Sequence, residues 1–272
     1  MKKFLLLILL PLTVLFADET GFSFYSGPLV IQPYTANTFE PRLGTIWELN
    51  HNRIRLDIGN SIDLIQYRFA DKTKLLTIGN DFFTYTMLVG EKNFHFPVIA
   101  VDYLFGININ LKDTVDTGVF GYRLRLSHIS AHFVDGHFDG TTGIWKDGLN
   151  PHVYSREFLD FSAGYEPDKS MRYYIGFQYL YHVDPTTIPK LGGYAGVEYH
   201  FPVWKSLNAY GAYQFSATGL RPRHEVHAGV KVGNWYGRGV HLCYIYHAGD
   251  SIHGEYYNIQ DDYSGLSFSI DF

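Results

Sequence analysis

Apolar and polar residues alternate with a period of two along most of this chain. The last ten residues, YSGLSFSIDF, show it most simply. Leu266, Phe268, Ile270 and Phe272 share one face; Ser267, Ser269 and Asp271 share the other. Successive strand side chains point to opposite faces, so this pattern predicts a strand with one apolar and one polar side. The same alternation, cut by turn residues, predicts strands near 42–49, 53–69, 74–89, 95–111, 117–133, 153–166, 171–183, 191–202, 207–218, 224–235, 239–249 and 263–272. Among the apolar rows are Ile99, Val101, Tyr103 and Phe105, then Tyr173, Ile175, Phe177 and Tyr179. Further rows are Ala195, Val197, Tyr199 and Phe201; Val226, Ala228, Val230 and Val232; and Val240, Leu242, Tyr244 and Tyr246. The pattern slips near Asn60 and Asn80, where an extra residue in a β-bulge would restore it.

A final strand that alternates and ends in Phe272 resembles the assembly signal of bacterial outer-membrane barrels. That resemblance implies an all-β fold, a transmembrane antiparallel β-barrel of about twelve strands. Such barrels have an even strand number, short turns at one end and longer loops at the other. The tight turns near KDTV, PDKS, VWKS and YGRG fall at one end. The long segments 135–151 and 250–262 fall together at the other, which makes them external loops.

The chain starts differently. MKK is basic, FLLLILLPLTVLF is apolar, and Ala17 suits the last position before a cleavage site, although Leu15 is not ideal two residues earlier. Residues 1–17 are therefore expected to be a secretory signal peptide, with residues 42–272 forming the barrel. Between them, residues 18–41 form an irregular N-terminal segment with little alternation and several prolines. It could lie across the periplasmic mouth, enter the lumen or remain disordered.

Composition agrees with a barrel. The 272 residues are 46% hydrophobic and 17% aromatic, with 22 Tyr, 21 Phe and 27 Gly. Nevertheless, after the leader no window reaches the ~20 apolar residues of a membrane-spanning helix. The formal charge of −5 is no footprint for nucleic acid, and the single cysteine, Cys243, excludes an intrachain disulfide. The polar face carries both signs: Arg53, Arg55, Asp57, Asp102, Arg123, Arg125, Asp160, Arg172, Glu198, Glu225 and Lys231. In a narrow barrel these charges are expected to pair and fill the lumen, giving a structural plug; the alternative is a narrow selective channel.

One strand breaks the division of faces. In RLRLSHISAHF, residues 123–133, His128 and Ser130 share a face with Leu124 and Leu126, opposite the arginines. Two residues along a strand are roughly 6–7 Å at Cα, within reach of a side-chain hydrogen bond. If the next hairpin is symmetric about 142–143, Glu157 lies opposite His128 and Ser155 opposite Ser130. A serine nucleophile needs a base, and the base needs a third group to hold its tautomer. Ser130, His128 and Glu157 supply those roles, with Ser155 as the alternative orienting residue. A one-residue slip would turn Glu157 inward. The bland reading is that His128 and Ser130 are ordinary interfacial residues near a barrel rim.

The His-x-Ser strand resembles outer-membrane phospholipase A and the lipid A deacylase. That resemblance implies a lipid acyl-ester hydrolase on the lipid-facing wall, with membrane lipids as partners and a homodimer as in the phospholipase. Those families follow the serine with Asn; here Ala131 follows. The longer pattern RLRLSHISAH with YSREFLDFSAGY is similar to an uncharacterised family of bacterial outer-membrane proteins, which brings no activity. Phe272 would engage the barrel-assembly machinery. The loop acids Asp135, Asp139 and Asp147 could offer oxygen ligands to calcium, and a cation held by Asp135 or Asp139 could stabilise the oxyanion, although acidic loops are usually just solvated. The histidine pairs 224/227 and 241/247 lack metal-ligand spacing for strands.

Overall fold

The structure, a computed structural model, describes residues 20–272. The leader expected at residues 1–17 lies outside the described residues. Twelve long strands follow in order: β1 Leu43–Glu48, β2 Arg53–Arg68, β3 Lys74–Val89, β4 Val98–Val115, β5 Gly118–Phe133 and β6 Tyr154–Glu166. Next come β7 Met171–Asp184, β8 Leu191–Trp204, β9 Leu207–Thr218, β10 Arg221–Gly233, β11 Gly239–Ala248 and β12 Tyr263–Asp271. Each pairs antiparallel with its chain neighbours, and β12 pairs with β1 through Gly265↔Glu48 to Ile270↔Leu43. The twelve strands close into a barrel; on its β1 side, β2 pairs with β1 over Ile54–Asp57 and with Gly21–Phe24 over Ile65–Arg68. No helix among the described residues is long and apolar enough to cross a membrane.

The predicted faces are observed. Leu124, Leu126, Ile175, Phe177, Leu242 and Phe268 are each more than two-fifths exposed on the outside. Their inward neighbours Arg123, Arg125, Glu225, Lys231 and Ser267 are buried. An apolar outer belt of this extent suits hydrocarbon rather than water. Glycines on the inner face make room for rings. A Cβ on Gly176 would meet the Tyr194 ring at 2.0 Å, and one on Gly196 the Tyr174 ring at 2.2 Å. The two Gly–Tyr pairs are cross-strand neighbours between β7 and β8.

Three details correct the sequence expectation. First, the β2 bulge falls at Leu64, not Asn60: Asp63 pairs Gly79 and Ile65 pairs Ile78. Leu64 and Ile65 are consequently both exposed, whereas pairing through Asn60 and Asn80 is regular. Second, Ile99 is 5% exposed rather than outward. Met87 pairs Ala100 and Leu88 pairs Val98, so Ile99 is the extra residue of a bulge and turns into an apolar cluster with Met87 and Phe133. Third, Gly21–Phe24 forms a short strand on β2, pairing Gly21↔Arg68 through Phe24↔Ile65.

After that strand the chain enters the lumen. The Val30 amide donates to Asp63 at 2.8 Å, and the Thr35 amide to Glu198 at 2.6 Å. Tyr34 stacks on Tyr174 with centroids 3.9 Å apart and donates to Ser162. Arg172 bridges Glu198 to the Gln32 and Pro33 carbonyls. At the tip, buried Glu40 accepts from Arg123 and, at 2.7 Å, from Arg125. Arg125 also faces Asp81 at 3.0 Å. Of the three expectations for this segment, the structure selects entry into the lumen.

The long-loop end is capped by residues 249–262. Asp102 accepts from His253 and from the Gly254 amide, both at 2.7 Å. Buried Glu255 accepts from the Phe133 amide at 3.2 Å and pairs with His152 at 3.0 Å.

Glu40→Gln should leave two buried guanidiniums short of a carboxylate. Breaking one partner of a buried charge cluster costs about 3–5 kcal/mol, so this variant should melt well below wild type in detergent. Thermal denaturation followed by heat-modifiable gel mobility measures it. Planar-bilayer recordings of the wild type should show no large stable conductance.

Candidate functional site on the outer wall

Strands β5, β6 and β7 lie side by side. The β5–β6 register places His128 opposite Glu157 and Ser130 opposite Ser155, as hairpin symmetry predicted. All four side chains therefore share the outer face. His128 Nδ1 lies 2.6 Å from Glu157 Oε1, and the two side chains are about a quarter exposed. With Glu157 ionised, the short contact assigns the proton to Nδ1 and leaves Nε2 as the basic nitrogen. The Phe105 ring of β4 sits 4.8 Å from the imidazole and shields one side of it.

Ser155 does not reach His128. It donates to Glu157 Oε1 at 2.9 Å, so it supports the carboxylate instead of replacing it. The Ser130 hydroxyl has no hydrogen-bond partner among the described residues. It stands two residues from His128 on the same face, flanked across the β4 pairing by Tyr103.

The structure adds a residue that alternation hides. His182 Nδ1 contacts Glu157 Oε2 at 2.5 Å. Strict period two would turn His182 inward, because Tyr179 and Tyr181 are outward. However, the β7–β6 pairing jumps from Leu180↔Phe158 to His182↔Glu157. This bulge makes Tyr181 and His182 both exposed and brings a second imidazole to the carboxylate. The tyrosine-histidine-valine run after a regular apolar row was the available signal.

The loop acids Asp135 and Asp139 are held by hydrogen bonds within their own loop. Asp139 accepts from the Thr141 amide at 2.9 Å and the Thr142 hydroxyl at 2.8 Å. The Thr142 hydroxyl and the Thr141 amide hold its carboxyl below the usual range. Asp135 accepts from the adjacent Gly136 amide at 3.1 Å. Among the described residues no three His, Cys, Asp or Glu side chains are grouped to hold a metal. The other histidines noted in sequence are also committed: His247 to Glu225, and His241 to Asp271 at 2.7 Å.

Residues 95–272 match the family described as a protein of unknown function (DUF1207). The chain belongs to that family. The matched span includes β4 through β12 and hence the whole Ser130, His128, Glu157 and His182 cluster. No curated protein matches the sequence. Among solved structures, the chain is similar to the beta domain of the Bordetella autotransporter BrkA, with 13% identity, TM-score 0.41, and coverage of 84% of this chain and 96% of that one. It is also similar to the transport unit of the Escherichia coli autotransporter AIDA-I, with 11% identity, TM-score 0.43, and coverage of 84% and 87%. A third is the outer-membrane OmpT of Vibrio cholerae, with 9% identity, TM-score 0.39, and coverage of 85% and 95%. This DUF1207 chain has an outer-membrane-type barrel, and its own strand pairing closes that barrel.

The register is directly testable. The double variant Ser130→Cys, Ser155→Cys should form a disulfide, because directly opposed residues on one face lie within bonding range. Cys243 is buried on the inner face and cannot compete. A shift in non-reducing gel mobility, absent from either single variant, is the expected result. A slip by one residue would leave both thiols free.

Proposed function

We propose that this barrel lies in the bacterial outer membrane and hydrolyses acyl esters of outer-leaflet lipid at its outer wall. The observation that carries the reading is the 2.6 Å contact from His128 Nδ1 to Glu157, on an apolar face, with Ser130 two residues along the same strand. This is the order of roles that serine hydrolysis requires.

The proposed chemistry uses these groups in turn. Ser130 Oγ adds to the ester carbonyl carbon while His128 Nε2 accepts its proton. Glu157 stabilises the imidazolium through Nδ1 and holds the ring in place. Collapse of the tetrahedral adduct breaks the ester C–O bond, and His128 returns the proton to the leaving alcohol. Water then adds to the acyl-serine, again with His128 as base, and releases the fatty acid. Exposed Leu126, Leu159 and Phe161 surround the site with apolar surface for acyl chains. Membrane lipids are thus the proposed partners. Phospholipid and lipid A are both esters of the required kind. Engagement of assembly machinery by Phe272, and pairing of two barrels, are part of the same proposal.

The test is lipid mass spectrometry on membranes carrying wild type, Ser130→Ala, His128→Ala or Glu157→Gln, with and without calcium. Wild type should release fatty acid. The first two variants should lose at least ~10³-fold, since a triad acts as a unit. Glu157→Gln should lose less, roughly 10–100-fold, because the amide still accepts from Nδ1 but cannot stabilise its charge. Identical lipid profiles in all four would remove the hydrolase and leave a structural barrel or a narrow channel.

A further inference from the structure

A second site lies inside the barrel, at the long-loop end. Arg156 of β6 is 5% exposed, and Arg223 of β10 is part-buried. Their guanidinium carbons lie 5.1 and 5.4 Å from the ring of Phe39, at the tip of the luminal segment. Arg156 makes no hydrogen bond or ion pair among the described residues, and its Nε is buried without an acceptor. Arg223 has one weak bond, to Thr218 Oγ1 at 3.4 Å. Among the other inward arginines, Arg53, Arg55, Arg123, Arg125 and Arg172 each face a carboxylate, and Arg42 donates to the Thr35 carbonyl at 3.1 Å.

Three carboxylates near this pair have closer partners. Asp250 pairs with Arg221 at 2.6 Å, Glu225 with His247, and Glu40 with Arg123 and Arg125. Arg156, Arg223, Arg221 and Asp250 line one cavity of about 140 Å³. Among the described residues neither Arg156 nor Arg223 has a carboxylate within ion-pair distance; the buried Asp160 on the far side of Phe39 accepts from the Tyr194 hydroxyl instead. A buried unpaired cation is costly, and two near the same ring repel each other as well. The rest of the cavity wall combines hydroxyls, as on Thr218 and Ser251, with the rings of Phe39, Tyr154 and Tyr257. Exposed Thr187 and Pro189 of the β7–β8 turn border it, so the cavity opens at the mouth.

We infer that this cavity binds a phosphoryl dianion, either free phosphate or a small phosphate monoester. Two charges match two unpaired guanidiniums. Guanidinium groups bond phosphate oxygens in forked geometry, and the bonds strengthen away from water. A water molecule takes about 30 Å³, so the cavity holds a phosphate and leaves space for a compact apolar substituent against the rings. The site is on the opposite side of the wall from Ser130 and stands independently of the hydrolase reading.

Isothermal titration of the full barrel in detergent tests it, with inorganic phosphate, phenyl phosphate and benzoate as probes. Both phosphates should bind saturably at one site. Arg156→Gln and Arg223→Gln should each weaken that binding at least tenfold, whereas Arg238→Gln, exposed in the tight turn at the other end of the barrel, should change it less than threefold. Both inner variants should keep heat-modifiable mobility. Without ligand they should melt at or above the wild-type temperature, because each removes an unpaired buried charge. Absence of saturable binding to wild type would overturn the site. So would binding that survives both inner substitutions. Tighter binding of benzoate than of either phosphate would overturn the phosphoryl assignment.

Discussion

The carboxylate of Glu40 holds the inside of this barrel together. It is buried, and it takes hydrogen bonds from Arg123 and Arg125 on the same strand. Two adjacent inward arginines repel in a low-dielectric interior, and Glu40 is the carboxylate that contacts both, with Asp81 also facing Arg125. Glu40 does not belong to the wall but to the irregular segment before β1. The wall and the segment therefore stabilise each other: the arginines fix the segment, and the segment neutralises the arginines. Tyr34 on Tyr174 and Arg172 on the backbone carbonyls extend the same union lower in the lumen. The filled interior leaves the outer wall and the mouths as the surfaces available for chemistry.

That division accounts for the placing of Glu157. A carboxylate facing hydrocarbon would be costly alone. Here it has three partners, His128, His182 and Ser155, drawn from three neighbouring strands. The cluster satisfies the carboxylate without water. The same bonds orient one imidazole with its second nitrogen free. A purely interfacial carboxylate could make do with one histidine, but the β7 bulge at Tyr181 brings a second. Interrupting the apolar row of β7 in this way serves the carboxylate rather than the belt.

Period two made the barrel legible because both faces are constrained: an exposed apolar belt outside, a charged lumen inside. Wherever that held, as in Tyr173 through Tyr179 or Val240 through Tyr246, the sequence reading and the pairing agree. It also carried the His128–Glu157 and Ser130–Ser155 registers, since the hairpin around residue 142 has equal arms. The misses share one cause. Leu64, Ile99 and the Tyr181–His182 step are bulges, and a bulge changes parity without any necessary Gly or Pro to mark it. His182 was lost for that reason. The luminal course of residues 25–42 was illegible for another. Its anchors are single long-range contacts, such as Glu40 to Arg123, and no local period encodes those.

Phe39 connects the neutralised part of the lumen to the part that is not. One residue before Glu40, its ring lies against Arg156 and Arg223, two cations that the segment touches but does not neutralise. An aromatic face offers a cation far less than a carboxylate does. A segment evolved only to fill the barrel could have carried a second acid here, as it does one residue later. Instead Phe39 separates the satisfied arginines below from the unsatisfied pair beside the open mouth. The ring closes the floor of the cavity while leaving its charge to be met from outside. The neutralised arginines and the proposed anion site then both depend on one segment: Glu40 meets Arg123 and Arg125, and Phe39 leaves Arg156 and Arg223 without a carboxylate.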